Sequence, residues 1–248
     1  MATTMKDPVE LPALRERVAM VCRMLYDKGL IPASDGNVSV RWGEDYCLIT
    51  PAGVFKGLIE PEDLLLVDLA GRPAPEEIAA SNGLKPSGET HTHLAAYRIR
   101  PDVRAVVHAH APLVTALTVA GISMAPCVLP ETLVTVGTIA TTDYANPTSP
   151  QMIDIISDLI AEHDALVLDR HGALTVGPSL LKAYALMEKV EHSAQVLINA
   201  HLLGKVQLLA QEDIVHLSTL RDGLIGPERH FTGPSCALCG QCEGIDPI

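Results

Sequence analysis

Apolar residues recur at helical spacing from residue 13 to 29. Val18, Met20, Val21, Met24, Leu25 and Tyr26 fall along one stripe, and Gly29 ends it. The period then drops to two. Val38-Ser39-Val40-Arg41 alternates as a strand does, Tyr46 to Thr50 follows the turn at Gly43-Glu44-Asp45, and Leu64 to Leu69 forms a third run closed by Ala70-Gly71. This predicts an antiparallel meander behind a first helix. Glu89 to Arg98 reads as a helix, with Ser87 as its cap and Arg100-Pro101-Asp102 as its end. Val103 to Ala111 is apolar enough for a strand. Pro112 to Val119 reads as a helix and Val134 to Thr141 as a strand. The loop Asn146-Pro147-Thr148-Ser149-Pro150 leads into an amphipathic helix, Gln151 to Ala161. Ala165 to Leu168 is a short apolar strand. Pro178 to Leu203 is a long helix with Ala183, Leu186, Val190, Ala194, Leu197 and Ile198 on one face.

Composition narrows the function classes. The 248 residues are 48% hydrophobic and 19% charged, enough for one large domain or two small ones. The net charge of −12 disfavours nucleic acid as a partner, because binding a phosphate chain needs a basic surface. Aromatic content of 3% leaves no stacking platform for single strands. No apolar run reaches the length of a membrane span, and Met1 to Pro12 lacks a secretory core, so a cytoplasmic protein acting on a small molecule is expected.

Candidate chemistry gathers on the strand Val103 to Ala111. His108 and His110 are two apart, so on a strand both imidazoles project to one side and form a ready metal pair. Upstream, Lys85-Pro86-Ser87-Gly88-Glu89 supplies a carboxylate in the first turn of a helix, where the helix dipole by itself also accounts for an acid. His91 and His93 are two apart on a helix and do not face each other, so they are not counted as a metal pair. His171 lies at a strand end before Gly172, a common place for a site residue and also for an ordinary turn histidine. Ser34-Asp35-Gly36-Asn37 reads either as a surface turn or as an anion pocket, in which glycine admits the ligand to the backbone and Asn donates hydrogen bonds. Cys22, Cys47 and Cys127 are scattered and read as reduced core residues. Cys236, Cys239 and Cys242 form a Cys-x-x-Cys-x-x-Cys cluster in the tail, after Gly233-Pro234. Three thiolates at this spacing suit zinc, with His230 as a fourth ligand, or part of an iron–sulfur site. A redox disulfide with a spare thiol and a partner-docking tail are the alternatives.

Taken in order, Gly36-Asn37-Val38-Ser39, Ile49-Thr50-Pro51-Ala52-Gly53, Lys85 to Glu89, His108-Ala109-His110 and Arg170-His171-Gly172 resemble the class II aldolase/adducin family. The likeness is to its catalytic branch, that of L-fuculose-phosphate aldolase and L-ribulose-5-phosphate 4-epimerase. It covers residues 13 to 210, leaving a tail at 1–12 and an extension at 211–248 that holds the cysteine cluster. The resemblance implies a three-layer α/β fold with a central, mainly antiparallel sheet flanked by helices. It implies a homotetramer with active sites at subunit interfaces. It implies one divalent metal, usually zinc, with manganese or cobalt as alternatives, on His108, His110 and His171, and Glu89 as general acid/base. It assigns Gly36, Asn37, Gly53 and Ser87 to binding the substrate's phosphate or other anion. Ala52 and Gly88 stand where family members often carry hydroxyls. Each missing hydroxyl removes a charge-assisted hydrogen bond worth about 1.5–3 kcal/mol, which leaves a carboxylate or a non-phosphorylated substrate as competitors. Tyr144 resembles a catalytic tyrosine that reaches a neighbouring subunit's site and protonates or orients the leaving group; a surface tyrosine is the alternative. Glu131 falls where an acid is often found and receives no role. The implied reaction is carbon–carbon cleavage of a small hydroxy-carbonyl compound, with decarboxylation or 4-epimerisation as variants. A non-catalytic adducin-like interaction module is the reading from a different class, and the intact set of His108, His110, His171 and Glu89 argues against it.

Overall fold

The computed structural model describes residues 10–75 and 83–225. Helix α1 (Leu11–Asp27) opens the chain with Pro12 in its first turn, and it buries Leu14, Val18, Val21, Cys22 and Leu25. The meander follows as β1 (Asn37–Trp42), β2 (Tyr46–Ile49) and β3 (Leu65–Asp68), each pair antiparallel. Helix α2 (Thr90–Ile99) crosses to β4 (Ala105–Ala109), which pairs antiparallel with β1. Helices α3 (Pro112–Val119) and α4 (Pro130–Thr135) lead to a short β5 (Ala140–Thr141). Helix α5 (Pro150–Ile160) precedes the hairpin of β6 (Ala165–Leu168) and β7 (Gly172–Gly177). Helices α6 (Leu180–Leu203) and α7 (Gln211–Ile225) complete the described chain.

The seven strands form one sheet in the order β3-β2-β1-β4-β7-β6-β5. Only β5 and β6 run parallel. Strand alternation splits the core in two. Val38, Val40, Val107, Ala109, Val167 and Ala173 face α1, α3 and α6, while Ile49, Val67, Val106, Leu166, Leu174 and Val176 face α2 and α5. Helices therefore cover both faces, which is the three-layer arrangement expected. Each fully buried leucine, isoleucine or valine on these faces contributes about 1.5–3 kcal/mol by leaving water.

One segment departs from the sequence reading. Val134 to Thr141 is not a strand: Val134 and Thr135 finish α4, which begins at Pro130, and only Ala140–Thr141 forms a strand that pairs with the sheet. Proline at the first turn favours a helix start, and Gly137, at φ +87°, makes the break that separates helix from strand. Cys22 and Cys47 are buried as expected, and burial pushes both thiols up to about 12. Cys127 is only half-buried. Cys236, Cys239, Cys242 and His230 lie outside the described residues, as does most of the 1–12 tail. Among the described residues, no helix is long and apolar enough to cross a membrane.

Candidate active site

The site is built where β4 meets β1 on one side and the β6–β7 hairpin on the other. Asn37 of β1 sits opposite His108 of β4, and Ala109 sits opposite Ala173 of β7. Two glycines allow the strands to close in here. A Cβ on Gly36 would stand 2.8 Å from the His108 carbonyl oxygen, and one on Gly172 only 2.2 Å from that of Ala109. Gly172 also takes φ +152°, a conformation that L side chains rarely adopt. Bringing the hairpin this near to Ala109–His110 places His171 beside both strand histidines. Ring centroids of His108, His110 and His171 are 4.7–5.1 Å apart in every pairing.

Glu89 enters from the residue just before α2. It makes no capping hydrogen bond to the helix with its side chain, so the dipole account of this acid does not describe its partners. Its Oε2 lies 3.4 Å from His108 Nε2 and its Oε1 3.7 Å from His171 Nε2. One donor atom from each of Glu89, His108, His110 and His171 can be chosen so that all lie within 4.8 Å of one another. His108 has its Nδ1 2.9 Å from the Ala173 carbonyl, which fixes Nδ1 as the protonated nitrogen and turns Nε2 inward as a lone pair. His110 Nδ1 lies 3.2 Å from Asp35 Oδ2. Among the described residues, His108 Nε2 and His171 Nδ1 are buried nitrogens with no hydrogen-bond partner. Buried polar atoms are rarely left so, and two in one cluster of imidazoles fit the donor set of a divalent cation.

The electrostatics suit the same reading. Burial lowers all three histidines. His110 is lowered further by His171, and His171 reaches about 4 with His108 as the second cause. Neutral imidazole is the ligating form. Burial pushes the Glu89 carboxyl up, but His108, the Asn37 amide, His171 and His93 outweigh it and bring it to about 2, the imidazoles acting only where they are protonated; beside neutral rings it is the Asn37 N–H that favours the carboxylate. The carboxylate is therefore ionised and available as a base.

Residues 16–198 match the model of the class II aldolase and adducin N-terminal domain, about three-quarters of the chain. The chain belongs to the class II aldolase and adducin family. It is 33% identical over 176 residues to L-fuculose phosphate aldolase of Methanococcus maripaludis, covering 71% of this chain and 91% of that one. It is 34% identical over 182 residues to methylthioribulose-1-phosphate dehydratase of Methylococcus capsulatus, covering 68% and 85%. Its fold is similar to that of YgbL from Escherichia coli, whose activity is described only as aldolase, epimerase or decarboxylase. The TM-score is 0.76 at 27% identity, covering 84% of this chain and 99% of that one.

In this class II aldolase-family chain the other candidate residues stand at different depths. Asn37 is 4% exposed and spends its amide inside the protein: Nδ2 donates to Glu89 Oε2 at 2.6 Å, and Oδ1 accepts from His93 Nε2 at 2.5 Å. Gly36 is packed under His108. Gly53 is open to solvent, on a rim formed where Ala52 N–H donates to Lys85 O and Ser87 N–H donates to Thr50 O. Ser87 Oγ accepts from the Glu89 N–H at 3.3 Å. Tyr144 is exposed, with its hydroxyl on Asn146 Oδ1 at 3.2 Å. Its loop runs close to the Glu89 turn: Thr148 Cγ2 lies 3.3 Å from where a Cβ on Gly88 would stand. Glu131 is in the first turn of α4.

Two groups escaped the sequence reading. Asp35, within the glycine-containing turn, stands against His110, and buried Lys56 pins that turn by donating to Ser34 O at 2.8 Å and Val54 O at 2.9 Å. His93, set aside as half of a pair that cannot chelate, is fully buried behind Asn37. A usable signal was present for it, since Glu89 and His93 are four apart and share a helix face.

Proposed function

We propose that this protein is a divalent-metal-dependent lyase that cleaves a carbon–carbon bond of a small hydroxy-carbonyl compound. A sugar phosphate such as L-fuculose 1-phosphate is the leading substrate class. The observation that supports this most is the convergence of ionised Glu89 with three neutral histidines, two of which carry buried, unpartnered nitrogens. When the bond between the α- and β-carbons of a β-hydroxy ketone breaks, the β-hydroxyl gives up its proton and becomes an aldehyde, the electron pair is left on the α-carbon as an enolate, and that anion is the costly species. A divalent cation on His108, His110 and His171, zinc being the best match to imidazole donors in a small site, would supply the stabilising positive charge. Glu89 moves the proton. Asn37 occupies its Oε2, so Oε1, facing His171, is the oxygen that meets substrate. Positioned proton transfer of this kind contributes on the order of 10²–10⁴ in rate.

Decarboxylation and dehydration use the same stabilised anion and are the variant reactions. The tie of Asn37 to Glu89 and His93 weakens the phosphate grip that the glycine–asparagine pair was expected to give, and this favours anion contacts from the rim at Gly53 and Ser87. Tyr144 is assigned to the substrate entrance on the strength of its loop's approach to Gly88.

The test combines metal content with turnover. Elemental analysis of purified protein is expected to give about one zinc per chain, lost in His108→Ala. Glu89→Gln is expected to keep the metal and to lower kcat on L-fuculose 1-phosphate, followed as triose phosphate release, by about 10²–10⁴. Carbon dioxide release from a 3-keto acid phosphate, assayed in parallel, separates the decarboxylase variant. Wild-type protein that takes up no metal after refilling with zinc, manganese or cobalt would overturn the lyase reading.

A further inference from the structure

Behind Glu89 lies a row of buried polar groups that reaches neither solvent nor the cluster of histidines directly. Tyr97 Oη is 2.7 Å from Ser39 Oγ, Ser39 Oγ is 2.7 Å from His93 Nδ1, and His93 Nε2 is 2.5 Å from Asn37 Oδ1. Asn37 Nδ2 then donates to Glu89 Oε2. Ser39, His93 and Tyr97 are each at most 1% exposed. A core this dry holds such groups at a cost unless each is satisfied, so the row needs a reason.

Donor and acceptor chemistry gives the row a single direction. A carboxylate only accepts, so the Asn37 amide must turn its NH₂ to Glu89 and its oxygen to His93. That oxygen only accepts, so His93 Nε2 must carry the proton. A neutral imidazole with Nε2–H has a bare Nδ1, so the Ser39 hydroxyl must donate to it, and the Tyr97 hydroxyl must in turn donate to Ser39. Each group has one role left to it. Turned the other way, the Asn37 oxygen would face a carboxylate oxygen 2.6 Å away.

We propose that His93, held in one tautomer by Ser39 and Tyr97, is a positioning residue that locks the Asn37 amide and through it the orientation of the Glu89 carboxylate. The inference rests on the lyase reading only for its consequence on turnover; the tautomer and the orientation stand on the hydrogen bonds. Burial first, with His108 adding to it, lowers the His93 ring to about 3 even though Glu89 opposes the shift, in keeping with a permanently neutral ring. Two features of the chain build the device. Asn37 and Ser39 are two apart on β1 and so share a face, and Glu89, just before α2, and His93 and Tyr97 on it follow one another at four-residue spacing along one side.

The test has a spectroscopic arm and a kinetic arm. Full-length protein is labelled with ¹⁵N-histidine, and two-bond ¹H–¹⁵N spectra are recorded without metal and with zinc, with His93 assigned from the signal lost in His93→Gln. The expected result is an Nε2–H tautomer that does not titrate between pH 5 and 8 and is unchanged by zinc. An Nδ1–H tautomer, or a ring that titrates in that range, would overturn the proposal whatever the enzyme's activity. In the kinetic arm, His93→Leu is expected to lower kcat by about 10–100-fold while zinc content and KM stay near wild type. Gln can present an N–H near the Nε2 position, so His93→Gln is expected to recover most of that loss. Equal losses in the Leu and Gln variants would mean that only packing matters, and would also overturn the proposal. Absence of turnover by wild type on every substrate tried would count against the lyase reading and leave the spectroscopic result to decide this one.

Discussion

At the scale of single residues, partners decide what each side chain can do. Asp35 is an instance. Its carboxylate faces Nδ1 of His110, and its side chain is 48% exposed. A carboxylate on one ring nitrogen orients the imidazole and raises the basicity of the other, and removing such a partner typically costs 10–100-fold in metal affinity. Because Asp35 is partly solvated, Asp35→Asn is expected at the low end, about 10-fold weaker zinc binding in competition with a chromogenic chelator. Unchanged affinity would show that Asp35 does not orient His110. His93 gives a second residue-scale expectation, for the metal-free protein. Its folded value of about 3 lies below the ordinary value of 6.5. Between those two values the unfolded chain binds a proton that the folded protein refuses, so stability must fall as the solution is acidified through that window and level off above it. The slope from this one group is about 1.4 kcal/mol per pH unit. Urea unfolding at pH 4, 5, 6 and 7 should show a shallower acid slope in His93→Gln than in wild type; parallel slopes would mean that the ring is protonated in the fold.

At the scale of elements, much was legible because period and position agree. The alternation in β1, β2 and β3 gave the meander, and the two-residue spacing of His108 and His110 put both rings on one side of β4. The reading failed where one signal served two structures. Val134 to Thr141 has the β-branched residues of a strand, yet Pro130 starts a helix that runs into it, and the long-range pairing of β5 with β6 takes only its end. The row from Tyr97 to Glu89 was hidden for another reason: Asn37 and His93 are 56 residues apart, and no local period reports a contact made by folding. The histidine triad, by contrast, depends on a hairpin whose requirement is visible in one glycine. A Cβ at Gly172 would lie 2.2 Å from the Ala109 carbonyl oxygen, and the φ of +152° is strained for any other residue. Gly172→Ala must therefore push β7 away from β4 and carry His171 off. The expected outcome is destabilisation by about 1–3 kcal/mol together with loss of bound zinc, read by thermal unfolding and elemental analysis. A variant that kept both stability and zinc would show that the close approach is not needed to assemble the triad.

At the scale of the whole molecule, the family match ends at residue 198, while the described chain continues through α6 and adds α7. That last helix is tied back to the sheet. Ile214 packs with Leu133 of α4, and Arg221 donates to Val136 O at 3.1 Å and lies 3.6 Å from Asp164 Oδ2. Asp164, just before β6, also pairs with Arg100 at 2.9 Å, so two guanidinium groups from α7 and from the end of α2 meet on one buried carboxylate. Removing one member of a buried ion pair usually costs about 3–5 kcal/mol, because it strands the other charge. Here Arg100 remains to compensate Asp164, which lowers the expected cost of Arg221→Ala to about 1–3 kcal/mol, much of it from the lost bond to Val136 and the hollow left over Gly137. For a protein of this size that is a fall of about 2–10 °C in Tm. Zinc binding should be unaffected, because Asp164 and His171 flank β6 at opposite ends, about 13 Å apart along the strand. Measuring Tm and zinc content on the same preparation separates the two ends of the molecule: a lower Tm with full zinc content is the expected pattern, whereas loss of zinc would mean that α7 supports the site and not only the sheet edge.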